Sequence, residues 1–188
     1  MKKIHQIANI SFGKNLDAST VGDIAFIQSG SINETGEYDS RNIQYLNVEY
    51  VSKDDYLLPG DILFTAKGSI KSPYIIKEAD LPAVASSVFF VIRPDLEQVY
   101  PEFLSWILTS PKLIHQINNI AEGSTITSIS IREFRSITIE VPPLSIQKKI
   151  TELNVLHKRY AELTLELQKK LEIMNMAAAN KVININYE

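Results

Sequence analysis

Residues 141–179 read VPPLSIQKKITELNVLHKRYAELTLELQKKLEIMNMAAA, and the rest of the sequence is best interpreted around this segment. Two prolines stand near its start and neither Pro nor Gly follows them, so it predicts one long helix from Ile146 onward. Apolar residues recur at steps of three and four, the a/d pattern of a coiled coil. We call this row of apolar residues the seam: Leu153, Leu156, Tyr160, Leu163, Leu167 and Met174. Ala177 continues the same spacing after the seam.

The length of this helix bears on what it contacts. About 33 residues at about 1.5 Å per residue span roughly 50 Å, which is longer than a domain of about 100 residues is wide. Much of the helix must therefore lie against something other than its own domain. A terminal helix folded back on its own core is one interpretation. We favour the other, a helix that pairs with a second long helix from another copy or a different chain.

The chain has 188 residues, enough for one domain of about 140 residues followed by a helical appendage. Its 45% hydrophobic and 22% charged residues are ordinary for a soluble globular protein. The absence of cysteine excludes disulfides, thiolate metal sites and a Cys nucleophile, and it fits a cytoplasmic protein. No apolar run approaches the roughly 18 residues of a membrane span, so we expect no membrane association.

Charge is unevenly distributed along the chain. Residues 1–140 hold 12 Lys and Arg against 17 Asp and Glu, a net −5, whereas residues 141–188 hold 7 against 5, a net +2. A strong non-specific DNA binder usually shows a basic excess. If this protein binds DNA, it must use a local basic face or rely on a partner for phosphate contacts.

The order of the predicted elements indicates an α+β fold. We expect a twisted, mostly antiparallel or mixed sheet with flanking helices over residues 1–141, one long C-terminal dimerisation helix over 142–180, and a tail over 181–188. Residues 1–20 form a weakly specified lead-in. Helices begin at Pro101 and Pro111, and Ser130 caps a short turn. The predicted strands are 23–27, 43–51, 62–66, 74–77, 83–92 and 136–141.

Two polar loops are the candidate binding segments. Residues 29–42 carry Arg41 and Asn42 in a loop too polar for a packed core. The second loop follows the predicted strand 62–66 and carries Lys67, Ser69 and Lys71 around a glycine. That glycine permits close approach to a phosphate or base, and lysines neutralise phosphate. The first loop is equally compatible with a solvated hairpin connection, and most Lys-Gly-Ser loops like the second are solvent turns.

Motifs for catalysis and for metal or cofactor binding are missing from the sequence. There is no His-x3-His or His-Glu-x2-His for zinc, no Gly-x-Ser-x-Gly, no dinucleotide fingerprint and no P-loop. We therefore expect no catalytic residue, no metal and no cofactor. A small enzyme that uses Asp61, Lys67 and the loop at Gly68 is a minor alternative.

Several short pieces, in this order and spacing, resemble the specificity subunit of type I restriction-modification systems. Each piece is weak alone, but together they extend from Gly22 to the start of the long helix. They are Gly22-Asp23-Ile24; Pro59-Gly60-Asp61-Ile62-Leu63 with Lys67-Gly68-Ser69; Pro101-Glu102-Phe103-Leu104 with Ser110-Pro111; Gly123-Ser124-Thr125 with Ile129-Ser130; and Pro142-Pro143-Leu144-x-x-Gln147-x-x-Ile150.

The resemblance implies a non-catalytic, target-recognition domain carried on a helical spacer. It implies double-stranded DNA, a methyltransferase (modification) subunit and a restriction/translocase subunit as partners. Subunits of this family typically hold two recognition domains and two spacers, whereas this sequence has one of each. It is therefore a half-length subunit or a piece of a longer one. Two copies that pair their long helices antiparallel through the seam would rebuild the two-fold arrangement, or another protein would supply the second half.

The implied mechanism is major-groove reading of a half-site by base-edge hydrogen bonds, with phosphate contacts that set the register. Ser124 and Thr125 are candidates for positioning phosphate. The candidate DNA-binding residues are Arg41, Asn42, Lys67, Ser69, Lys71, Ser124 and Thr125. The alternative function is a coiled-coil, dimeric protein-interaction module that does not bind DNA, because the same seam supports it equally well.

Overall fold

The structure is a computed structural model that describes residues 1–33, 36–39, 41, 43–67, 73–121 and 128–185. By its internal contacts the chain divides into two units, Met1–Lys148 and Lys149–Glu188. We call the first unit the head and describe each unit by itself. The architecture is α+β with mixed and antiparallel sheets and a long C-terminal helix, which confirms the fold class expected from the sequence.

The strands of the head are short. They are β1 Lys2–Lys3, β2 Ala8–Phe12, β3 Ile24–Ile27, β4 Gln44–Leu46, β5 Ile62–Thr65, β6 Tyr74–Ile75, β7 Ala83–Ala85, β8 Phe89–Pro94 and β9 Thr138–Ile139. The α-helices of the chain are α1 Pro101–Leu108, α2 Pro111–Ala121, α3 Ile131–Ser136 and α4 Leu144–Ile185. Helices α1 and α2 each begin with a proline. Proline is tolerated at this position because the N–H group that it lacks would have no hydrogen-bond partner within the helix.

The strands of the described residues form three sheets rather than one. The largest is antiparallel in the order β2-β8-β5-β6. In a second sheet, β3 pairs antiparallel with β4 and parallel with β7. The third is the antiparallel pair β1-β9, which joins the beginning of the head to its end.

The expectation of a weakly specified lead-in over residues 1–20 was wrong. Strand β2 forms an edge of the four-stranded sheet, with Ile10 opposite Ile92. Ile4 and Ile7 have no exposed surface, and Ile10 is 1% exposed. Burial of such side chains stabilises a fold by roughly 1.5–3 kcal/mol each, so the first residues are part of the core.

Two predicted strands were also too long. The run 83–92 is not one central strand, because β7 and β8 belong to different sheets and the chain crosses between them at Ser86–Val88. The predicted strand 43–51 ends at Leu46. Beyond it, Tyr50 donates to the Asn47 carbonyl and Val51 to the Val48 carbonyl, which closes a 3-10 turn instead of a ladder.

Aromatic stacking fills the space between the large sheet and α3. Phe134 of α3 has no exposed surface, and its ring centroid lies 5.3 Å from that of Phe64 and 4.7 Å from that of Phe90. Phe12 extends the cluster, 4.8 Å from Phe90. Ser130 caps α3 by accepting a hydrogen bond from the Glu133 amide at 3.2 Å, so the capping signal read in the sequence corresponds to a real helix start.

A buried ion pair joins the start of β5 to β8. Leu58 to Asp61 form a turn in which Gly60 has φ +87° and the Asp61 amide donates to the Leu58 carbonyl, the geometry of a type II turn. The Asp61 carboxylate, 1% exposed, accepts from Arg93 Nε at 2.8 Å and Nη2 at 2.7 Å. It also accepts from the Leu58 amide at 2.8 Å. This pairing raises the pKa of Arg93, so the guanidinium stays charged.

Gln147 fixes the first turn of α4 to the head. Its side chain has no exposed surface. The side-chain amide donates to the carbonyls of Gln98 and Pro142 at 2.9 and 2.8 Å, and its oxygen accepts from the Tyr100 amide at 3.0 Å. A buried amide with three partners is well satisfied. The start of α4 is therefore held by polar contacts as well as by packing.

Helix α4 contains 42 residues and is longer than the roughly 33 expected from the sequence. At about 1.5 Å per residue it is roughly 63 Å long. Among the described residues, no helix combines the length and the apolar character needed to cross a bilayer.

The Asp61–Arg93 pair yields a stability prediction. Asp61→Ala should lower the free energy of unfolding by about 3 kcal/mol, because it removes a buried carboxylate and leaves Arg93 and the Leu58 amide without their acceptor. Asp54→Ala, at an exposed site, should change stability by no more than about 0.5 kcal/mol. Urea denaturation of both variants measures the difference. Equal stabilities would show that the pair is not structural.

Candidate nucleic-acid interface

Two of the polar segments identified in the sequence are attached to the head side by side. Lys67, just after β5, forms an antiparallel bridge with Ser128. The Ile129 amide donates to the Ala66 carbonyl at 3.0 Å and secures this bridge. Segment 68–72 follows Lys67 directly and segment 122–127 precedes Ser128 directly, so one end of each segment is fixed at the same place.

The other end of segment 68–72 is fixed beside the third polar loop. Tyr74 begins β6 just after that segment, and its ring stacks on Tyr38 with centroids 5.5 Å apart. Tyr38 belongs to the loop that carries Arg41, and its backbone pairs with Ile32. In the sequence, segment 68–72 thus connects the Lys67–Ser128 bridge to the Tyr38–Tyr74 stack. We call these attachment residues the loop base: Tyr38, Lys67, Tyr74 and Ser128.

The two tyrosines of the loop base are partly shielded from solvent. Burial, together with the nearby Asp80 carboxylate, raises the pKa of Tyr38 to about 12. Burial and a hydrogen bond from the Tyr74 hydroxyl to Asp80 at 2.8 Å raise the pKa of Tyr74 as well. Asp80 also accepts from the Lys77 amide at 2.8 Å, which fixes the carboxylate in place. The stack is thus a rigid, neutral support at physiological pH.

Of the seven candidate DNA-binding residues, the structure describes two. Arg41 is highly exposed, and its Nε and Nη2 donate to the Asp39 carboxylate at 2.8 and 2.9 Å. The hydrogen bonds to Arg41 hold the pKa of Asp39 below its usual range. Lys67 is exposed and its ammonium lies 5.8 Å from the centroid of the Phe12 ring. The other five lie outside the described residues: Asn42, Ser69, Lys71, Ser124 and Thr125.

The sequence analysis missed the contribution of the first strand to this part of the head. Phe12 lies under the Lys67 ammonium, and Lys14 forms a 2.7 Å ion pair with Asp55 beside a polar cleft. A Cβ on Gly13 would lie 2.3 Å from the Ser86 carbonyl oxygen, so only glycine fits there. The available signal was the alternation of Ala8, Ile10 and Phe12 with polar residues, which is a strand period of two.

A catalytic or metal site finds no support in the described part of the head. The minor alternative of an enzyme required an available Asp61, but both carboxylate oxygens of that residue are held in the buried pair with Arg93. In the described ranges, no group of three or more His, Asp or Glu side chains is arranged to hold a metal ion.

The second unit presents the seam on α4. Its six side chains are between 47% and 71% exposed. Leu165, Ile173 and Met176 add further exposed apolar surface outside the a/d positions. A lone helix cannot bury such a row, so the seam stays a candidate interaction surface.

Solved type I restriction-modification specificity subunits share this fold. The HsdS subunit from Thermoanaerobacter tengcongensis superposes with a TM-score of 0.58 at 15% identity, over 86% of this chain and 38% of that one. The S subunit from M. genitalium superposes with a TM-score of 0.58 at 18% identity, over 87% of this chain and 40% of that one. A third solved chain comes from a study of complex assembly and conformational transition of the type I R-M system. It superposes with a TM-score of 0.63 at 18% identity, over 86% of this chain and 38% of that one.

A family model described as the type I restriction modification DNA specificity domain matches residues 1–175. The chain therefore belongs to the family of type I restriction-modification DNA specificity domains, which confirms the resemblance seen in the sequence. The type I restriction enzyme HindI specificity subunit of Haemophilus influenzae is 25% identical over 182 residues, which are 90% of this chain. The EcoKI specificity subunit of Escherichia coli is 27% identical over 123 residues, 63% of this chain.

The chain spans 38% of the length of the HindI subunit and 26% of the EcoKI subunit. Several of the short pieces that carried the resemblance have structural roles in this fold. A Cβ on Gly22 would lie 2.7 Å from the Leu46 carbonyl oxygen. Pro59-Gly60-Asp61 forms the turn and the ion pair described above, and Gln147 fixes the start of α4. These residues stabilise the scaffold of the head.

The tyrosine stack of the loop base yields a pH prediction. Stability should be constant up to about pH 10 and should fall as pH rises toward 12, because the unfolded chain ionises Tyr38 near pH 10 while the folded state keeps it protonated. Tyr38→Phe keeps the ring and removes this ionisation, so its stability should fall less steeply over that range. Urea midpoints at pH 8, 10 and 11.5 test this. Equal slopes for both proteins would contradict a buried Tyr38.

Proposed function

We propose that this chain is a DNA-specificity module of a type I restriction-modification system. Its head reads one half-site in the major groove, and the module docks on the modification methyltransferase, which in turn recruits the restriction/translocase subunit. The observation that carries the proposal is the loop base, in which Lys67 pairs with Ser128 and Tyr38 stacks on Tyr74 at the ends of the polar loops. Family membership supports the same function. The module itself performs no chemistry in this proposal, needs no cofactor and acts in the cytoplasm.

Arg41 is the proposed base-reading residue. A guanidinium has five N–H donors, and two of them are engaged by Asp39. The remaining donors are enough for a bidentate contact with guanine O6 and N7, the commonest specific contact in the major groove. Asp39 therefore restricts the orientation of the Arg41 side chain before DNA binds, which lowers the entropy lost on contact. Asn42 next to it is the proposed partner for adenine.

Phosphate contacts in this proposal come from the two segments that meet at Lys67 and Ser128. The Lys67 ammonium is exposed at the start of one segment. Ser69 and Lys71 lie in the same segment, and Ser124 and Thr125 lie in the other. Ammonium and hydroxyl groups bind phosphate without reading sequence and so fix the register of the head on the duplex.

The charge balance of the head implies weak binding to DNA alone. Residues 1–140 carry a net −5, and several of their cations are already paired with carboxylates: Lys14 with Asp55, Arg41 with Asp39, Arg93 with Asp61 and Lys112 with Glu140. The acidic excess opposes the approach of DNA, and the release of counterions by cations is the main source of non-specific affinity. We propose that the methyltransferase supplies the missing positive surface.

A second function rests on the exposed seam. A protein-interaction module that pairs through α4 and does not bind DNA would show the same helix. An electrophoretic mobility shift with the methyltransferase subunit present separates the two functions. Sequence-selective retardation by the complex supports the specificity module, and its absence at low salt supports the protein-interaction module.

Lys67 and Lys71 yield a salt-dependence prediction. In the complex with methyltransferase, Lys67→Ala with Lys71→Ala should weaken DNA binding and reduce the slope of log K against log salt by about 2, since about one counterion is released for each phosphate contact. Lys2→Ala is the matched control, because Lys2 belongs to the separate β1-β9 pair. An unchanged slope would remove both lysines from the phosphate-contacting set.

Arg41 yields a specificity prediction. Arg41→Lys keeps the charge but loses the planar fork, so it should relax selection at one base pair and cost about 1–3 kcal/mol at that position. Selection of bound duplexes from a randomised pool, with the wild-type complex in parallel, measures the preference at every position. An unchanged sequence preference would exclude Arg41 from base reading.

A further inference from the structure

A polar pocket lies where the crossover from β7 to β8 meets the residues that follow β2. Its volume is about 220 Å³, and the buried residue Phe26 forms part of its wall. We call this cavity the crossover pocket. The polar residues of its lining include Lys14, Asn15, Gln28, Ser86 and Ser87. None of these five was a candidate from the sequence.

Backbone hydrogen bonds place the crossover pocket directly beside the loop base. Val88 lines the pocket, and its carbonyl accepts from the Ala66 amide at 2.8 Å and from the Lys67 amide at 3.3 Å. On another side of the pocket, Gln28 directly precedes the polar loop that carries Arg41. The pocket therefore adjoins both Lys67 and the start of the first polar loop.

The walls of the crossover pocket are tied together through the backbone. The Lys14 amide donates to the Ala85 carbonyl at 2.8 Å, and the Ser87 amide donates to the Lys14 carbonyl at 2.8 Å. The Ser86 amide donates to the Ile27 carbonyl at 2.9 Å. These bonds hold the crossover against the ends of β2 and β3. A ligand in this pocket would therefore lose little affinity to ordering of the backbone.

The side chains of the crossover pocket fit an anion. Among the described residues that line it, none is acidic, although residues 1–140 carry a net −5. The lining offers one ammonium group together with carboxamides and hydroxyls. Groups of these kinds bind the phosphate oxygens of DNA without reading its sequence. The pocket is therefore suited to a phosphate group.

The hydroxyl of Ser86 is a polar group that the fold leaves unsatisfied. Ser86 is 8% exposed, and within the described part of the chain its Oγ has no hydrogen-bond partner. An unpaired buried hydroxyl costs stability, so such a group in a folded protein calls for an explanation. A serine hydroxyl reorients by rotation about one side-chain bond. A phosphate oxygen held in the pocket can therefore become its partner.

Lys14 stands at the border between two cavities of different character. It lines the crossover pocket on one side and, on the other, the polar cleft that contains Asp54 and Asp55. In the structure its ammonium pairs with Asp55 at 2.7 Å. The Lys14 side chain is 46% exposed and can turn, whereas that of Asp55 is 11% exposed and depends on this partner. Asp55 therefore competes for the Lys14 ammonium with any anion in the crossover pocket.

We propose that the crossover pocket holds one backbone phosphate of the bound duplex through Lys14 and Ser86, and that Asp55 weakens this contact by competing for Lys14. The inference rests on the proposed function and deepens it. It adds a phosphate contact outside the three polar loops, and it adds a carboxylate that limits the affinity of the head for DNA.

Variants of Lys14 and Asp55 test the contact in the complex with methyltransferase. Lys14→Gln should weaken DNA binding and reduce the slope of log K against log salt by about 1, because one phosphate contact is lost. Asp55→Asn should tighten binding about threefold, because it releases Lys14 from its ion pair. This gain should vanish when Lys14→Gln is added. Electrophoretic mobility shift titrations at several salt concentrations measure these affinities.

Two matched controls carry the same charge changes. Lys53→Gln removes a cation on the 3-10 turn of Asp55 that does not line the crossover pocket, so the salt slope should not change. Asp54→Asn removes the neighbouring carboxylate, so it reports only the general loss of negative charge, and its effect should persist when Lys14→Gln is added. A slope unchanged by Lys14→Gln, or an Asp55→Asn gain that persists without Lys14, would overturn the proposal.

Ser86→Ala separates a ligand contact from a structural role. The substitution removes a hydroxyl that has no partner among the described residues, so the urea midpoint should not fall. DNA binding by the complex should nevertheless weaken about tenfold, because a hydrogen bond to a charged phosphate is lost. A lower urea midpoint with unchanged DNA binding would show that the hydroxyl is structural and would contradict the proposal.

A neutral linkage in the duplex identifies the phosphate. Methylphosphonate linkages are placed one at a time along a selected duplex. At one position in each half-site the neutral linkage should weaken binding by the wild-type complex and have little effect on the Lys14→Gln complex. Equal responses of both complexes at every linkage would contradict a backbone contact. Competition by inorganic phosphate at constant ionic strength, with no sensitive linkage, would show a free phosphate ligand and overturn the duplex contact.

Failure of this proposal is distinguishable from failure of the proposed function. If the wild-type complex retards DNA selectively and the Lys14, Asp55 and Ser86 variants behave as wild type, the crossover pocket is refuted and the specificity module stands. If the wild-type complex never retards DNA, the proposed function is refuted, and the phosphate contact that rests on it is refuted as well.

Discussion

The buried pair between Asp61 and Arg93 ties together the parts of the head on which the candidate interface depends. It connects the Leu58–Asp61 turn to β8, the strand flanked by β2 and β5. Arg93 also donates to the Tyr56 carbonyl at 3.2 Å. Strand β5 starts beside this pair and ends at Thr65, two residues before Lys67, so the pair helps to position Lys67 in the loop base. Burial of the Asp61 carboxylate costs desolvation energy, whereas the Arg93 side chain keeps 41% of its surface exposed. Hydrogen bonds to both carboxylate oxygens compensate for this cost.

Local signals predicted the elements whose structure depends on their own sequence. The capped start of α3 at Ser130 and the prolines that open α1 and α2 act through backbone geometry within a few residues. The long helix was equally predictable, because neither Pro nor Gly interrupts it after Pro143. The helix extends to Ile185, beyond the expected end, because no Pro or Gly interrupts the chain after the coiled-coil pattern fades near Ala177.

Elements that depend on distant neighbours were not predictable. The run 83–92 reads as one strand, yet Ser86 donates to the Ile27 carbonyl while Ser87 donates to the Lys14 carbonyl, so the chain leaves one sheet for another. The first strand was missed for a related reason, because β2 is specified by its pairing with β8 and by the close approach at Gly13. The loop base could not be foreseen either. Tyr38 and Tyr74 are 36 residues apart, and nothing local signals that their rings stack.

The acidic charge of the head is consistent with the function that we propose. Under that proposal, a head with a net charge of −5 binds DNA weakly by itself, and weak binding shortens the time spent on non-specific sites. If a second recognition head were joined to it, the second contact would become an intramolecular event with a high effective concentration, which raises affinity only where both half-sites are present. In the proposed function, discrimination between DNA sequences therefore comes from two heads acting together rather than from one head alone.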